Sequence, residues 1–549
     1  MNNQPKRNSS GSKSHKQIKR FGKPEAEGHT HSAVPPRNPA RTPANRPVPP
    51  SEMPGLAARR IALRVIREST EQGAWAGLSL DAALRDSGLS AQDRRLASRL
   101  AYDTLDRLIY LDWALSKVMA RPDTDIRLRN ILRLGACQIL LEDRIPESAA
   151  TNTCVQLCVE NGMPGLKGVC NGILRNLVRI RDSLDLSAAQ PPSGAQSSSD
   201  ARLSNSSPEA ISPEAASGPA ESISPEALEA LRLSLPLWLW LRLKADFGPE
   251  AGEIARWRHE EEGWLIRPNL TLLTDADFEK LLAKKVWEWE RTDLPHAYRI
   301  RGAMNIGADA DFRSGRFSIQ TAGSLLTCLA MAPKRGETLL DCCAAPGGKS
   351  CLMAEMMGGT GRVQAWDLHE HRTALIAAQV RRLGLENVRP MTRDALILRP
   401  DLEAALDGVL LDAPCSGTGM MAEKPDLKSR LTEQGLLELI SLQEKLLETV
   451  SAYVRPGGRL VYSTCSILRE ENGEQIRSFL ARHPEFEPEP LPETIPERFR
   501  RFAFPPEKSP AAADAPVTAD APADPGLLLK PWRDGTEGFY LCRLRRLDP

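Results

Sequence analysis

At 549 residues the chain is too long for a single hydrophobic core, so two to four domains are expected. Its hydrophobic content of 41% supports globular cores, yet no apolar run reaches the roughly 18 residues of a membrane span, and no signal-peptide core is present. A formal net charge of +1 excludes a global positive field, so any nucleic acid must be held by local basic faces.

The first 55 residues predict a disordered basic tail. They hold ten Lys and Arg against three acidic residues, with many prolines and no apolar face to bury. The prolines argue against the amphipathic helix of an organelle transit peptide. A solvated linker and a loosely bound RNA-grasping tail remain as readings of this stretch.

Residues 56–182 have apolar side chains at i, i+3, i+4 and i+7, with breaks at Gly and Pro. This spacing predicts an all-α domain of five or more helices. The domain carries 19 Lys and Arg against 15 acidic residues, so one face can be basic.

Residues 183–225 form a Ser/Pro/Glu-rich stretch with five acidic residues and one basic residue between 183 and 224. The composition predicts a disordered acidic linker, with a partner-binding motif as the alternative. Residues 226–316 then alternate between helical and strand-like segments, which predicts a small α+β module in front of the last domain.

From residue 317 to 549, strands and helices alternate, which is typical of a doubly wound α/β sheet. Within it, residues 508–526 are predicted to be a disordered insertion. Four carboxylates close successive apolar runs: Asp341, Asp367, Asp394 and Asp412. Carboxylates in these positions line one edge of a parallel sheet. In such folds the acidic residue at the end of the second strand, here Asp367, binds the ribose hydroxyls of the ligand.

The stretch 338–350, TLLDCCAAPGGKS, predicts a strand, a tight loop and a helix start that together hold a polar ligand. It lacks the glycine spacing of a dinucleotide site and of a phosphate-binding loop. Alone, it is also compatible with a simple Gly-Pro turn. With the four carboxylates in register, it favours a nucleoside site.

The eleven cysteines show no C-x-x-C pair and no zinc-ligand spacing, so no metal site is predicted. Most lie in apolar periods and are expected to be buried small hydrophobes. Cys415 and Cys465 differ, because each follows a strand of the predicted sheet, in DAPCSGTG and YSTCS. The two strands should be neighbours, so both thiols should face one cleft.

A thiolate in such a cleft is a strong nucleophile. No histidine accompanies either cysteine segment, which disfavours acyl transfer. Methylation at carbon 5 of a pyrimidine does require a thiol, because that carbon becomes nucleophilic only after a thiolate adds to carbon 6. A second thiol nearby then has a use in product release.

The motifs CAAPGGK, DAPCSGTG, KPDLKSR and YSTCS resemble the NOL1/NOP2/Sun family of RNA 5-methylcytosine methyltransferases, over residues 226–549. AQDRRLASRLAYDTLDR and KGVCNGILRN are similar to the NusB-type helical RNA-binding domain. Together they resemble bacterial members that act on small-subunit rRNA. The resemblance implies a Rossmann-like methyltransferase sheet, with Cys465 as the nucleophile and Cys415 as the thiol that aids release.

The resemblance also implies S-adenosylmethionine as cofactor. The residues that would bind it are Cys343, Ala344, Ala345, Pro346, Gly347, Gly348, Lys349, Asp367, Asp394 and Asp412. Asp412 would also bond the cytosine ring, and Lys349 would contact the substrate.

The function that follows is S-adenosylmethionine-dependent methylation of carbon 5 of a cytosine in 16S rRNA, by a monomeric cytoplasmic protein that needs no membrane. The alternatives are the same chemistry on tRNA or large-subunit rRNA, or a non-catalytic RNA-binding or antitermination factor.

Overall fold

The computed structural model describes residues 53–85, 87–121, 123–184, 223–257, 263–302, 305–500 and 524–548. Its first part is helical, as predicted. In these ranges seven helices precede residue 181: α1 (Leu56–Gln72), α2 (Ala76–Arg85), α3 (Ala91–Asp106), α4 (Leu108–Ser116), α5 (Ile126–Leu140), α6 (Glu147–Glu160) and α7 (Lys167–Ile180).

Helix α5 lies at the centre of this domain and contacts α1, α3, α4, α6 and α7. Asp125 caps it, because its side chain accepts a hydrogen bond from the Arg127 N–H. Gly135 allows α7 to approach, since a Cβ there would lie 2.8 Å from the Leu174 side chain. The helical core therefore depends on tight packing of apolar faces.

Three further helices follow residue 224: α8 (Pro225–Leu233), α9 (Leu237–Phe247) and α10 (Ala251–Arg256). Ser224 caps α8 by accepting from the Ala227 N–H, and Pro225 occupies the first turn. The apolar residues of α9, including Trp240 and Leu243, join the core on one face of the large sheet described below. Helices α9 and α10 therefore pack with the last domain, although they were predicted as part of the small α+β module, and α8 also contacts α4 of the first helical domain.

The small module itself contains a four-stranded sheet of order β2-β3-β1-β4. Its elements are β1 (Trp264–Pro268), α11 (Asp275–Leu282), β2 (Glu288–Arg291), β3 (Tyr298–Arg301), α12 (Ala310–Arg313) and β4 (Phe317–Ile319). The predicted boundary at 316/317 is too early, because β4 pairs antiparallel with β1, placing Phe317 opposite Pro268.

The rest of the chain forms the predicted doubly wound sheet, of order β10-β12-β9-β8-β5-β6-β7, with β11 paired to β12. Strands β5 to β9 run parallel in this order, and β10, β11 and β12 are antiparallel additions. The strands are β5 (Thr338–Asp341), β6 (Arg362–Asp367), β7 (Val388–Thr392), β8 (Leu406–Asp412), β9 (Val454–Thr464), β10 (Phe486–Pro488), β11 (Leu527–Leu529) and β12 (Phe539–Arg546). The helices are α13 (Ala322–Met331), α14 (Gly348–Met356), α15 (Glu370–Leu383), α16 (Glu433–Ser451), α17 (Gly473–Arg482) and α18 (Pro531–Asp534).

Helices cover both faces of this sheet. Apolar residues of α16 and α17 pack on one face, and those of α13, α14 and α15 pack on the other. Strand β5 lies between β6 and β8, so the chain changes direction across the sheet beside it. In open α/β sheets, ligands bind at the carboxyl edge next to such a reversal.

The buried pair of Arg267 on β1 and Glu355 on α14 joins the small sheet to the large one. Arg267 Nη1 lies 2.6 Å from Glu355 Oε2, and both side chains are almost fully buried. Glu355 also accepts a hydrogen bond from the Leu270 N–H at 3.0 Å. Helix α14, which follows the loop after β5, is thus held by the small module.

Several predictions fall outside the described residues: nearly all of the basic tail and of the acidic linker, and residues 508–523 of the predicted insertion. Residues 524–526, at the approximate end of the predicted insertion, lie within the described ranges. Asp524 is buried and accepts a hydrogen bond from the Tyr540 hydroxyl at 2.7 Å. No helix in the described ranges is long and apolar enough to span a bilayer.

Candidate active site

The candidate site lies along the carboxyl edge of the parallel strands. Cys465 follows β9, Cys415 follows β8, the 341–349 loop follows β5, Asp367 ends β6 and Asp394 follows β7. Because these strands are neighbours in this order, the edge runs from the two thiols at one end to Asp394 at the other. The sequence predicted this alignment.

The two thiols contact each other, with 3.4 Å between Cys415 Sγ and Cys465 Sγ. Both side chains are half-buried, so each can meet a ligand in the cleft. The contact follows from the parallel pairing of β8 with β9, in which Asp412 lies opposite Ser463.

The two thiols differ in acidity. The hydrogen-bond contact with the Cys415 thiol lowers the pKa of Cys465, and Lys424 and Lys349 lower it further, against burial and Asp412, which raise it. The same contact and burial raise the pKa of Cys415 well above its ordinary value. Cys465 is therefore the thiol that more readily becomes a thiolate, which is the nucleophilic form.

The fully buried carboxylate of Glu471 holds the Cys415 loop. It accepts hydrogen bonds from the Ser416 N–H at 2.8 Å and from the Ser416 hydroxyl at 2.5 Å. Gln443 Nε2 donates to the same carboxylate at 2.9 Å and to the Pro414 carbonyl at 3.0 Å. A buried anion with several donors is well satisfied, so it fixes the residues on either side of Cys415.

Two glycines let the backbone segments of the site approach each other. Gly419 donates its N–H to the Cys465 carbonyl at 2.9 Å and accepts from the Gly538 N–H at 3.0 Å. A Cβ on Gly419 would overlap the Gly538 carbonyl. Only glycine at position 419 allows the Cys415 loop to bridge the end of β9 and the start of β12.

An ion pair lies beside the thiols. Lys349 Nζ is 2.7 Å from Asp412 Oδ2, and the Ser463 hydroxyl donates to Asp412 Oδ1 at 2.8 Å. Burial lowers the pKa of Lys349, but the charge and hydrogen bond of Asp412, together with the charge of Asp341, raise it by more in sum, so the amine stays protonated. The Lys349 ammonium also lies over the Phe539 ring, 5.7 Å from its centroid.

The loop after β5 is tightly built around Gly347. Ala344 donates its N–H to the Trp366 carbonyl at 2.8 Å, and Gly347 donates to the Ala344 carbonyl at 2.7 Å. Gly347 has a φ of +104°, and a Cβ there would meet the Ile376 backbone at 3.2 Å. Helix α14 begins at Gly348, which directs its N-terminal N–H groups toward this edge.

Asp341 lies beneath this loop and is almost fully buried. The Ser350 hydroxyl donates to its Oδ2 at 2.6 Å, while its Oδ1 has no hydrogen-bond partner in the described ranges. Burial raises the pKa of Asp341 to about 7, and the charge of Asp412 adds to this effect. Burial also raises the pKa of Cys343 in the loop well above its ordinary value, so that thiol is not the nucleophile.

Asp367 and Asp394 occupy different environments. Asp367 is buried and accepts from the Ala345 N–H at 3.4 Å and from the His369 N–H at 3.2 Å, with Arg372 Nε 3.5 Å away. Asp394 is half-buried and caps its own turn, accepting from the Leu396 N–H at 2.9 Å. Pro346 completes the loop between Ala345 and Gly347.

The donor set of this edge fits S-adenosylmethionine. A carboxylate at the end of β6 suits ribose hydroxyls, and the N-terminus of α14 suits the methionine carboxylate. The unpaired Oδ1 of Asp341 adds a buried acceptor below the loop. In the described ranges, no group of three or more His, Cys, Asp or Glu side chains is arranged to hold a metal ion.

Sequence analysis missed Glu471, Ser416, Gln443 and Ser463. Glu471 had a weak signal, since it stands six residues after Cys465 in the polar run REEN. Gln443 lies within α16 among apolar residues, where nothing local marks it as a ligand of Glu471.

The parallel sheet, the loop after its central strand and the carboxylates at its edge define an S-adenosylmethionine-dependent methyltransferase. A family model for 16S rRNA methyltransferase RsmB/F matches residues 328–545, and a NusB family model matches residues 56–179. A probable ribosomal RNA small subunit methyltransferase B of Bacillus subtilis (strain 168) is 32% identical over 503 residues, covering 90% of this chain and 100% of that protein. The chain belongs to the ribosomal RNA small subunit methyltransferase B family.

Solved structures agree with this assignment. The crystal structure of PH0851 has a TM-score of 0.70 and 25% identity, covering 90% of this chain and 99% of that chain. A methyltransferase homolog from Pyrococcus horikoshii has a TM-score of 0.50 and 28% identity, covering 59% of this chain and 100% of that chain. The predicted NusB-type domain, methyltransferase sheet and cofactor are confirmed by these comparisons.

Proposed function

We propose that this protein methylates carbon 5 of a cytosine in 16S rRNA, through a covalent bond between Cys465 and carbon 6 of the ring. The observation that carries the proposal is the 3.4 Å contact between the Cys415 and Cys465 sulfurs at a cofactor-binding edge. A non-catalytic RNA-binding factor has no use for two touching thiols that are half-buried at the edge where the cofactor is held.

The chemistry assigns a separate task to each thiol. The Cys465 thiolate adds its electron pair to carbon 6, and the electrons of the ring double bond move to make carbon 5 nucleophilic. S-adenosylmethionine supplies an electrophilic methyl group for that carbon. Loss of the carbon 5 proton then expels the Cys465 thiolate and restores the ring, and Cys415 aids this release.

The other residues of the edge bind and orient. The loop residues Cys343, Ala344, Ala345, Pro346, Gly347 and Gly348, together with Asp367 and Asp394, hold the cofactor in this proposal. Lys349 and Asp412, whose charges act on Cys465, orient the cytosine.

The choice of 16S rRNA rests on the named relatives and on the NusB-type domain at residues 56–179. The same chemistry on tRNA or large-subunit rRNA is the alternative. It predicts the same behaviour of the thiols and a different modified RNA.

The test maps 5-methylcytosine by bisulfite sequencing in cells that lack the protein and carry one of three plasmids: wild type, Cys465→Ala or Cys415→Ala. We expect one small-subunit site to be lost in the deletion strain and restored by the wild type alone. If 5-methylcytosine were instead lost from tRNA or large-subunit rRNA, with the small-subunit map unchanged, that RNA would be the substrate in place of 16S rRNA.

The covalent step is tested separately with the purified proteins. Cys415→Ala should accumulate a protein–RNA adduct that survives denaturing electrophoresis, because addition proceeds and release is impaired. Cys465→Ala should form none. An adduct retained in Cys465→Ala would refute the assignment of the nucleophile.

A further inference from the structure

The helical domain contacts the catalytic domain at residues 424–430, the KPDLKSR segment, called here the clasp segment. Asp426 is almost fully buried, and its Oδ2 accepts hydrogen bonds from the Ser69 hydroxyl at 3.3 Å and from the Ala76 N–H at 3.2 Å. Arg430 Nη2 pairs with the same oxygen at 2.7 Å. The carboxylate is therefore shared between the start of α2, the end of α1 and the clasp segment.

Arg430 makes the complementary contacts to the turn between α1 and α2. Its Nη1 donates to the Gly73 carbonyl at 2.8 Å, and its Nη2 donates to the Ser69 hydroxyl at 2.9 Å and to the Ala74 carbonyl. A planar guanidinium that donates to several acceptors at once holds them in a fixed relative orientation. The compact ammonium group of a lysine cannot make the same set of hydrogen bonds.

Two further side chains of the clasp segment face the helical domain. Lys428 is almost fully buried, and its Nζ lies 2.8 Å from Asp106 Oδ1 at the end of α3. Lys424 Nζ and Arg430 Cζ lie 5.3 and 4.7 Å from the centroid of the Trp75 ring. Buried charges are costly unless paired in good geometry, so this arrangement has one well-defined docking position.

The clasp segment continues directly into the Cys415 loop. Lys424 donates its N–H to the Met420 carbonyl at 2.9 Å, Met420 donates to the Gly417 carbonyl at 2.8 Å, and Gly419 donates to the Cys465 carbonyl at 2.9 Å. A Cβ on Gly417 would lie 3.9 Å from Cys465 Sγ. A short hydrogen-bonded path thus joins the helical domain to both thiols.

We infer that the helical domain positions the thiol pair, with Asp426 and Arg430 as positioning residues that hold Cys415 against Cys465 through the clasp segment. The inference rests on the proposed role of the two thiols. It gives the domain a task in the chemical step, in addition to any contact with RNA. A helical domain that only delivers RNA needs no more than a flexible connection to the catalytic domain. The buried charge cluster instead fixes the distance and the orientation between the two domains.

The first test is kinetic. Arg430→Gln removes the charge that bridges Asp426 and the α1–α2 turn, and Arg430→Lys restores the charge without the fork. Arg60→Gln is the matched control, because it breaks the 2.7 Å pair of Arg60 with Glu160 inside the helical domain, away from the clasp segment. The substrate is small-subunit rRNA purified from cells that lack the protein.

We expect kcat of Arg430→Gln to fall about tenfold with KM for rRNA within about twofold of wild type, since the lost interaction acts on the chemical step. The kcat of Arg430→Lys should lie between those of Arg430→Gln and wild type, and the kcat of Arg60→Gln should equal that of wild type. An unchanged kcat, or a rise in KM alone, would overturn the inference in favour of plain RNA binding.

The second test needs no RNA. Iodoacetamide labelling of Cys465, assigned by peptide mass spectrometry and followed against pH, reports how easily this thiol ionises. The groups that face it are Cys415, Asp412, Lys424 and Lys349. In Arg430→Gln the clasp segment should be held less firmly, which weakens the thiol contact and moves Lys424 away from Cys465. Because both interactions lower the pKa of Cys465, the pH at which labelling is half-maximal should rise in this variant. The midpoint of Arg60→Gln should equal that of wild type.

Trp75→Leu provides a second variant in case Arg430→Gln does not fold, because the Trp75 ring is 42% exposed and its removal leaves the ion pairs intact. A smaller shift in the same direction is expected, and identical labelling curves would overturn the inference. The proposed function fails differently: wild type would then leave no 5-methylcytosine in RNA, whatever the labelling curves show.

Discussion

Two sets of cysteines in this molecule have the same side chain and different surroundings. Cys137 and Cys154 lie in the helical core with no exposed surface. Cys415 and Cys465 lie half-buried at the edge of the sheet. Burial raises the pKa of Cys137 and of Cys154 to about 12, whereas the thiol contact lowers the pKa of Cys465.

The difference shows that reactivity comes from position in the fold. A cysteine between packed helices has apolar neighbours and acts as a small hydrophobe. A cysteine just past a strand end meets the side chains that follow the neighbouring strands, here a second thiol, a carboxylate and a lysine. Substitution or labelling of a cysteine in either set therefore tests what its surroundings contribute.

The largest effect is expected for Cys465→Ala. Methyl transfer to small-subunit rRNA should fall on the order of 10⁴-fold or more, because the proposed mechanism uses the Cys465 thiolate to form the bond to carbon 6. Radiolabelled methyl incorporation measures it. Cys542→Ala is the matched control, since Cys542 is buried in β12 of the same sheet and its loss should leave the rate within about twofold. Rates of the two variants within tenfold of each other would contradict the comparison.

Selective alkylation is the next largest effect. At pH 8, iodoacetamide should modify Cys465 at least about 100-fold faster than Cys137 or Cys154, since both thiolate fraction and access favour it. Mass spectrometry of peptides gives each rate. In strong denaturant the rates should converge, and a persistent difference there would show that the fold is not its cause.

Asp341 combines both environments, because it ends a strand at the site and is nevertheless buried. Its pKa rises from 3.8 in the unfolded chain to about 7 when folded. Between these values the folded protein binds a proton that the unfolded chain has released. The free energy of unfolding should therefore fall as pH rises from about 4 to about 7, and level off above.

Asp341→Asn should remove this contribution while preserving the shape of the side chain. Melting temperatures of wild type and variant, measured between pH 5 and pH 8, should diverge as pH rises, with the wild type losing several degrees relative to the variant. Other titrating groups are common to both proteins and cancel in the difference. Parallel curves would mean that the folded protein ionises Asp341 as freely as the unfolded chain does.

Much of the site could be predicted from the sequence because its parts follow strands. Cys415 and Cys465 come after two apolar runs that pair as β8 and β9, and Asp367 ends another. A parallel sheet brings the ends of neighbouring strands to one edge, so local patterns were sufficient.

The contacts that support these residues could not be predicted. Asp426 and Ser69 are 357 positions apart, and their hydrogen bond exists only because two domains dock. Strand β4 was assigned to the wrong domain, since three residues carry too weak a pattern to reveal that they pair with β1. Such features depend on the packing of distant elements, which no short stretch encodes.

The smallest effect is expected for Cys154→Ala, which changes a cysteine of the buried helical core and leaves the two thiols of the site in place. The Cys154 sulfur packs where α5 and α6 meet, 3.1 Å from the position of a Cβ on Gly135, so its removal leaves a small cavity and should cost about 1 kcal/mol of unfolding free energy. Thermal melting should show a decrease of about 2–4 °C, while kcat stays at the wild-type value. Cys465→Ala should show the reverse, losing activity and keeping its melting temperature, because its sulfur faces the cleft. A loss of kcat in Cys154→Ala at full stability would mean that core packing in the helical domain, and not only its charged contacts with the clasp segment, controls the thiols.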